Sequence, residues 1–217
     1  MDQYIDIYCE RLEPGLWAEP INALTNAAFF IAGFFALILA RRENTLDWKS
    51  GLLIALIFAM GLGSTLFHTF AQLWAMMMDV LPILAYQICF IVLYARFIMG
   101  WNCWKSGALL AAFFVAMYIS MQLPREWLNG SLEYAPALIF VTGFGLYHLK
   151  QASREKFGLL AGALTFLISF GFRSVDEALC PALPIGTHFM WHILNGCVLY
   201  LTTRAFILNV KPISKTS

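Results

Sequence analysis

His68, His188 and His192 are imidazoles in an otherwise strongly apolar chain, and Ser64 and Asp79 stand close to the first of them in sequence. His68 closes the run Gly61-Leu62-Gly63-Ser64-Thr65-Leu66-Phe67-His68, while His188 and His192 form an H-x-x-x-H pair near the C-terminus. Residues i and i+4 share one helix face, so that pair can chelate a single ion. Catalytic zinc typically takes three protein ligands and keeps a fourth position for water, and His68 would supply the third. Ser64 lies one helical turn before His68 on the same face. Two other uses compete with metal ligation. One is hydrogen-bonded packing; the other is haem, which would spend two ligands from one helix and leave His68 unexplained. An ionisable residue inside an apolar segment is costly, which makes each a candidate functional residue.

The elements that must bring them together are membrane helices. The chain has 217 residues, of which 60% are hydrophobic and only 12% charged. Soluble domains carry about 25% charged residues, so the composition is that of a membrane protein. A net charge of +1 and the lack of a basic stripe argue against nucleic acid as a partner. Apolar runs long enough to span predict an all-α, seven-transmembrane helix bundle, with spans near 21–40, 51–71, 75–97, 104–123, 132–149, 157–174 and 185–207. This divides the chain into an external acidic segment (1–20), one membrane domain (21–207) and a cytoplasmic tail (208–217). No internal repeat or low-complexity stretch interrupts it.

Charge asymmetry sets the orientation. Residues 1–20 carry Asp2, Asp6, Glu10, Glu13 and Glu19 but only Arg11 as a base, so the first apolar run reads as a retained span rather than a cleaved signal. Arg41, Arg42, Lys49, Arg96, Lys105, Lys150, Arg154, Lys156, Arg204, Lys211 and Lys215 fall on one side; Arg11, Arg125 and Arg173 fall on the other. The positive-inside rule then makes the N-terminus external and the C-terminus cytoplasmic. Either a bacterial inner membrane or a eukaryotic secretory-pathway membrane fits.

In that topology the second span runs outward, and His68 lies roughly 17 residues along it, or roughly 26 Å at about 1.5 Å per residue. Asp79 lies about one turn into the next span, and His188 and His192 occupy the first two turns of the last. All share the outer end. His148 closes the fifth span at the inner end and is excluded.

At this point the motifs match a known family. Gly61-Leu62-Gly63-Ser64 to Phe67-His68, followed by Asp79 and Leu81-Pro82, resembles the S-x-x-x-H…D pattern of alkaline ceramidases. His188-x-x-Trp191-His192-Ile193-Leu194 with Gly196 and Tyr200 resembles their final-helix motif, and the wider superfamily includes the adiponectin-receptor-like proteins. The resemblance runs from Cys9-Glu10 to Tyr200. It implies a zinc ion on His68, His188 and His192 and hydrolysis of the amide bond of a ceramide-like membrane lipid. Zinc-activated water suits such an inert bond. Asp79 is expected to move a proton from that water to the departing amine, and Ser64 to support the oxyanion or orient a ligand. A run of thioethers, Met76-Met77-Met78, could line an acyl tunnel or simply face lipid.

The resemblance also implies a calcium site before the first helix, for which Asp6, Glu10 and Glu19 stand nearest, against the plain reading of a solvated acidic segment. Asn22 and Asn26 are expected to hydrogen-bond between helices. Cys9 and Cys180 both fall outside, where disulfides persist, and a bond between them would tie the N-terminal segment to the loop beside His188; free thiols are the alternative. Arg173 is expected to pair at the surface with Asp176 or Glu177.

Three functions compete. The first is a zinc-dependent amidohydrolase. The second is a lipid-binding, receptor-like protein of the same superfamily with weak or incidental hydrolysis, a class that generally adds a long cytoplasmic N-terminal domain. The third is a channel, which should carry polar residues through its full depth, whereas here they gather at one end.

Overall fold

The computed structural model describes residues 3–13, 15–151 and 154–212. Asp2, Lys215 and the end of the 208–217 tail lie outside the described residues. Among the described residues the chain forms seven long helices: α1 (Pro20–Arg42), α2 (Trp48–Phe70), α3 (Leu73–Ile98), α4 (Cys103–Met121), α5 (Ala135–Lys150), α6 (Gly158–Leu179) and α7 (His188–Asn209). Each follows its predicted span to within a few residues. The largest difference is at the end of α6, where Asp176 and Glu177 continue the helix beyond the apolar run.

Local chemistry explains the boundaries. Pro20 opens α1 at a position where its missing N–H is no loss. Asp47 caps α2 by accepting from the Lys49 and Ser50 amides, and Ser50 reciprocates in a capping box. Asn102 caps α4 by accepting from the Lys105 amide at 3.0 Å. Ala71 ends α2 in a left-handed conformation (φ 49°), so the chain reverses within two residues into α3.

Five of these helices, α1, α2, α3, α4 and α6, are long and apolar enough to cross a membrane. The expectation of seven such spans is met only in part, for physical reasons. Helix α5 has 16 residues, and α7 carries His188, His192, Asn195 and Arg204 along its length.

The bundle has two polar ends. At one, His148 accepts from or donates to Tyr94 Oη (2.6 Å), as expected of a histidine remote from the other three. Glu43 bonds Arg154 and Glu155 bonds Arg204 at this same end. Between the ends lies an apolar core that includes Leu53, Ile57, Phe90, Tyr94, Phe113 and Phe206.

Two glycines set the helix crossings that matter for the opposite end. Gly63 of α2 lies so close to the Met78 carbonyl of α3 that an added methyl group would overlap it. Gly196 of α7 lies against Ala28 of α1, where a Cβ would come within 2.9 Å of the Ala28 carbonyl oxygen. Small residues at membrane-helix contacts let backbones approach in this way. Gly63 thereby brings Asp79 beside Ser64 and His68.

Gly63→Ala should force α2 and α3 apart. Overpacking of this kind costs about 1–3 kcal/mol, so the thermal midpoint in detergent should fall and turnover with it. Gly171→Ala, where an added Cβ meets nothing within 4 Å, should leave both unchanged.

Candidate metal centre

The three histidines converge. His68 closes α2, and His188 and His192 occupy the first two turns of α7, so two separate helices supply the group. One ligand atom from each lies within 4.8 Å of the other two. All three side chains are buried, each at 1% exposure. His68 lies 4.6 Å from His192 and 5.3 Å from His188 between ring centroids.

Neighbouring groups decide which nitrogen each ring presents. Glu19 Oε2 lies 2.5 Å from His68 Nδ1. Burial raises the Glu19 pKa, but the hydrogen bonds from His68 and Arg11 and the Arg11 charge outweigh it and leave the carboxyl below its ordinary value. An ionised carboxylate only accepts, so His68 Nδ1 carries the proton and Nε2 is bare. Thr25 Oγ1 lies 3.0 Å from His192 Nδ1 and is also 2.9 Å from the Ile21 carbonyl oxygen. With its one proton committed to a carbonyl, it accepts from Nδ1 and leaves His192 Nε2 bare too.

Two nitrogens of the triad, His68 Nε2 and His188 Nδ1, are buried without a hydrogen-bond partner among the described residues. Such groups cost about 1–3 kcal/mol each if left unsatisfied. A metal ion fits this donor set: bare imidazole nitrogens, with two of the rings held through their other nitrogens by an outer partner.

Ser64 is buried and stands beside the Asp79 carboxylate, which lies in turn near His68. An apolar cavity lies between the helices, lined among others by Phe29, Tyr86, Phe90, Phe144 and Trp191. Trp191 adjoins His192, and the Phe29 ring is 6.2 Å from it. Met76, Met77 and Met78 take no part in the lining; Met77 and Met78 are exposed on the outside of α3.

The N-terminal segment closes the end of the bundle over the triad. Ile5 N donates to Ala71 O (2.8 Å) and Leu73 N to Gln3 O (3.1 Å), pinning the segment to the α2–α3 turn. Tyr8 then stacks on His188 with ring centroids 3.7 Å apart. Cys9 and Cys180 form a disulfide.

Several residues do work that the spacing did not reveal. Asp176 is fully buried and accepts from three backbone amides: Cys9 (3.1 Å), Thr187 (2.6 Å) and His188 (2.9 Å). It fixes the start of α7, where a negative charge also suits the helix dipole. The expected surface pair of Arg173 with Asp176 or Glu177 is not what forms. Arg173 instead donates to Asn129 O (2.9 Å) and Ser131 Oγ (3.0 Å) and lies over the Tyr134 and Trp191 rings, because Asp176 is committed to the three amides.

Two of the acids expected to bind calcium are taken up by groups of the chain itself, and the third is exposed. Glu10 caps α1, accepting from the Ile21 (2.7 Å) and Asn22 (2.8 Å) amides. Glu19 takes Arg11 on one oxygen and His68 with Asn22 on the other. Asp6 is exposed. Among the described residues the three histidines are the one such group gathered closely enough to hold a metal. Asn22 and Asn26 also depart from expectation: both are buried, but Asn22 donates to nearby Glu19 and Asn26 to the Asn22 carbonyl, not across helices.

The fold is a helical bundle with five helices apolar enough to cross a membrane, an apolar cavity and a buried three-histidine group that could hold a metal ion. The Ceramidase family model matches residues 9–212, nearly the whole chain, and the protein belongs to that family. Family membership supports a hydrolase with a ceramide-like lipid substrate. No curated protein matches the chain.

Breaking the Cys9–Cys180 bond, by reduction or by Cys9→Ser, should lower stability by about 2–4 kcal/mol, the usual worth of a bond closing a long loop. Thermal melting in detergent with and without reductant measures this. An unchanged midpoint, with both thiols newly alkylatable, would show that the bond carries no weight.

Proposed function

We propose that this protein is a zinc-dependent amidohydrolase of the membrane, cleaving the amide of ceramide-like lipids to a sphingoid base and a fatty acid. One observation carries the reading: three buried imidazoles from two helices converge, two of their ring nitrogens have no hydrogen-bond partner among the described residues, and an apolar cavity lined in part by Phe29 and Trp191 lies nearby. His68, His188 and His192 would hold the ion. When bound, zinc would polarise a carbonyl and lower the pKa of a coordinated water to about 7.

The chain's own residues account for the remaining requirements. Glu19 and Thr25 orient the His68 and His192 rings, so the ligands are fixed before any substrate arrives. The cavity takes a hydrocarbon chain and excludes water from the inner bundle. Asp79, beside the triad, accepts a proton from the attacking water and returns it to the nitrogen as the C–N bond breaks, so that the amine leaves neutral. Ser64 holds a hydroxyl at the same place and donates to the oxygen on which negative charge builds. A serine nucleophile is disfavoured, since every nearby histidine is engaged as a ligand.

The seven helices, read with the charge asymmetry, support seven crossings with the N-terminus external and the C-terminus cytoplasmic. The metal centre then lies at headgroup depth on the non-cytoplasmic side, where the amide of a two-tailed lipid resides.

His192→Ala should abolish both bound zinc and ceramide hydrolysis in purified protein. Asp79→Asn should retain zinc while turnover falls by about 10²–10⁴-fold, the usual worth of a general acid–base. Metal analysis alongside product release distinguishes the two, and a fully active His192→Ala would exclude that ring as an essential ligand.

A further inference from the structure

Arg11 carries a buried charge that the reaction itself does not use. Its side chain is fully enclosed, at 0% exposure, and an isolated buried cation is costly unless oxygens surround it. They do. Nε donates to Glu19 Oε1 at 2.5 Å, one terminal nitrogen to the Gly15 carbonyl at 3.1 Å, and the other to the His68 carbonyl at 3.0 Å. The planar fork reaches three oxygens in three directions, which the single ammonium of a lysine cannot reproduce.

Two of those contacts meet on one residue. Arg11 grips the His68 backbone directly, and it grips the His68 ring through Glu19, whose other oxygen takes Nδ1. The result is that His68 Nε2 is turned toward the His188 and His192 rings with no protein partner of its own. A carboxylate and two carbonyls are also the hard oxygen ligands a divalent cation would choose. Here a guanidinium fills their midst.

We propose that Arg11 is a built-in cation, a positioning residue that holds His68 in its metal-ready orientation and takes the place of a calcium ion at this end of the bundle. The proposal rests on the reading of His68 as a metal ligand. Arg11 touches neither the cavity nor Asp79, so its effect is confined to the metal and the rate.

The test uses the full-length protein in detergent, with zinc affinity measured by competition against a chromogenic chelator. Loss of an outer partner to a metal-bound histidine costs about 10–100-fold in affinity or activity. Arg11→Ala and Glu19→Gln should each weaken zinc binding by that factor and lower kcat similarly, with KM for the lipid within about twofold of wild type. Arg11→Lys should recover only part of the loss. Millimolar calcium should raise the melting midpoint of Arg11→Ala, whose three oxygens are vacated, while neither calcium nor a calcium chelator changes the wild type.

Should Arg11→Ala fail to fold, Glu19→Gln and Arg11→Lys carry the decision, with the Cys9–Cys180 bond serving as the check of folding. Wild-type zinc affinity in folded Glu19→Gln and Arg11→Lys would overturn the positioning role. Wild-type activity lost to a calcium chelator and restored by calcium would overturn the substitution for calcium. A failure of the underlying reading looks different: the wild type itself then binds no zinc, or His192→Ala binds it as tightly as the wild type.

Discussion

Three imidazoles share a small buried volume in this protein, and two of their nitrogens have no hydrogen-bond partner among the described residues. Burying polar groups so is expensive unless a partner completes them. Much of the surrounding structure can be understood as holding that arrangement in place. Gly63 lets α3 approach α2, and Gly196 lets α7 approach α1. Glu19 and Thr25 fix two of the rings, while Asp176 fixes the first turn of α7 and so the backbone of the third.

The N-terminal segment is part of that apparatus. It pairs with the α2–α3 turn, stacks Tyr8 on His188, joins Cys180 through Cys9 and inserts Arg11 behind His68. Its acids are consumed in the process, Glu10 at the start of α1 and Glu19 between Arg11 and His68. Ion pairs at the opposite end, such as Arg154 with Glu43, are more exposed and contribute little individually. Charge at the three-histidine end is therefore organised by burial and geometry, whereas at the far end it lies nearer the surface.

The apolar cavity gives the centre its relation to lipid. It begins beside His192 and descends among aromatic rings toward Phe90 and Phe144. Under the proposed function, an apolar cavity near the three histidines would take the hydrocarbon of a ceramide-like lipid. Arg173, lying over the Tyr134 and Trp191 rings, adds a cation at the junction of the two regions.

Apolar run length and histidine spacing were enough to read the helical bundle, the gathering of His68, His188 and His192, and the neighbouring Ser64 and Asp79, because helix rise and periodicity translate sequence position directly into depth and face. The placement of His148 at the far end followed from the same arithmetic. The partners that complete the centre were not legible. Glu19, Thr25, Arg11, Tyr8 and Asp176 reach it from a loop, from other helices or across more than 150 positions of chain, as between Cys9 and Asp176. Nothing periodic links them to the histidines, so an acidic segment that suggested calcium turned inward to orient a ligand. Local pattern determines which residues can share a helix face; only the packed chain decides which loop closes over that face, since this depends on where buried charges find their opposite partners.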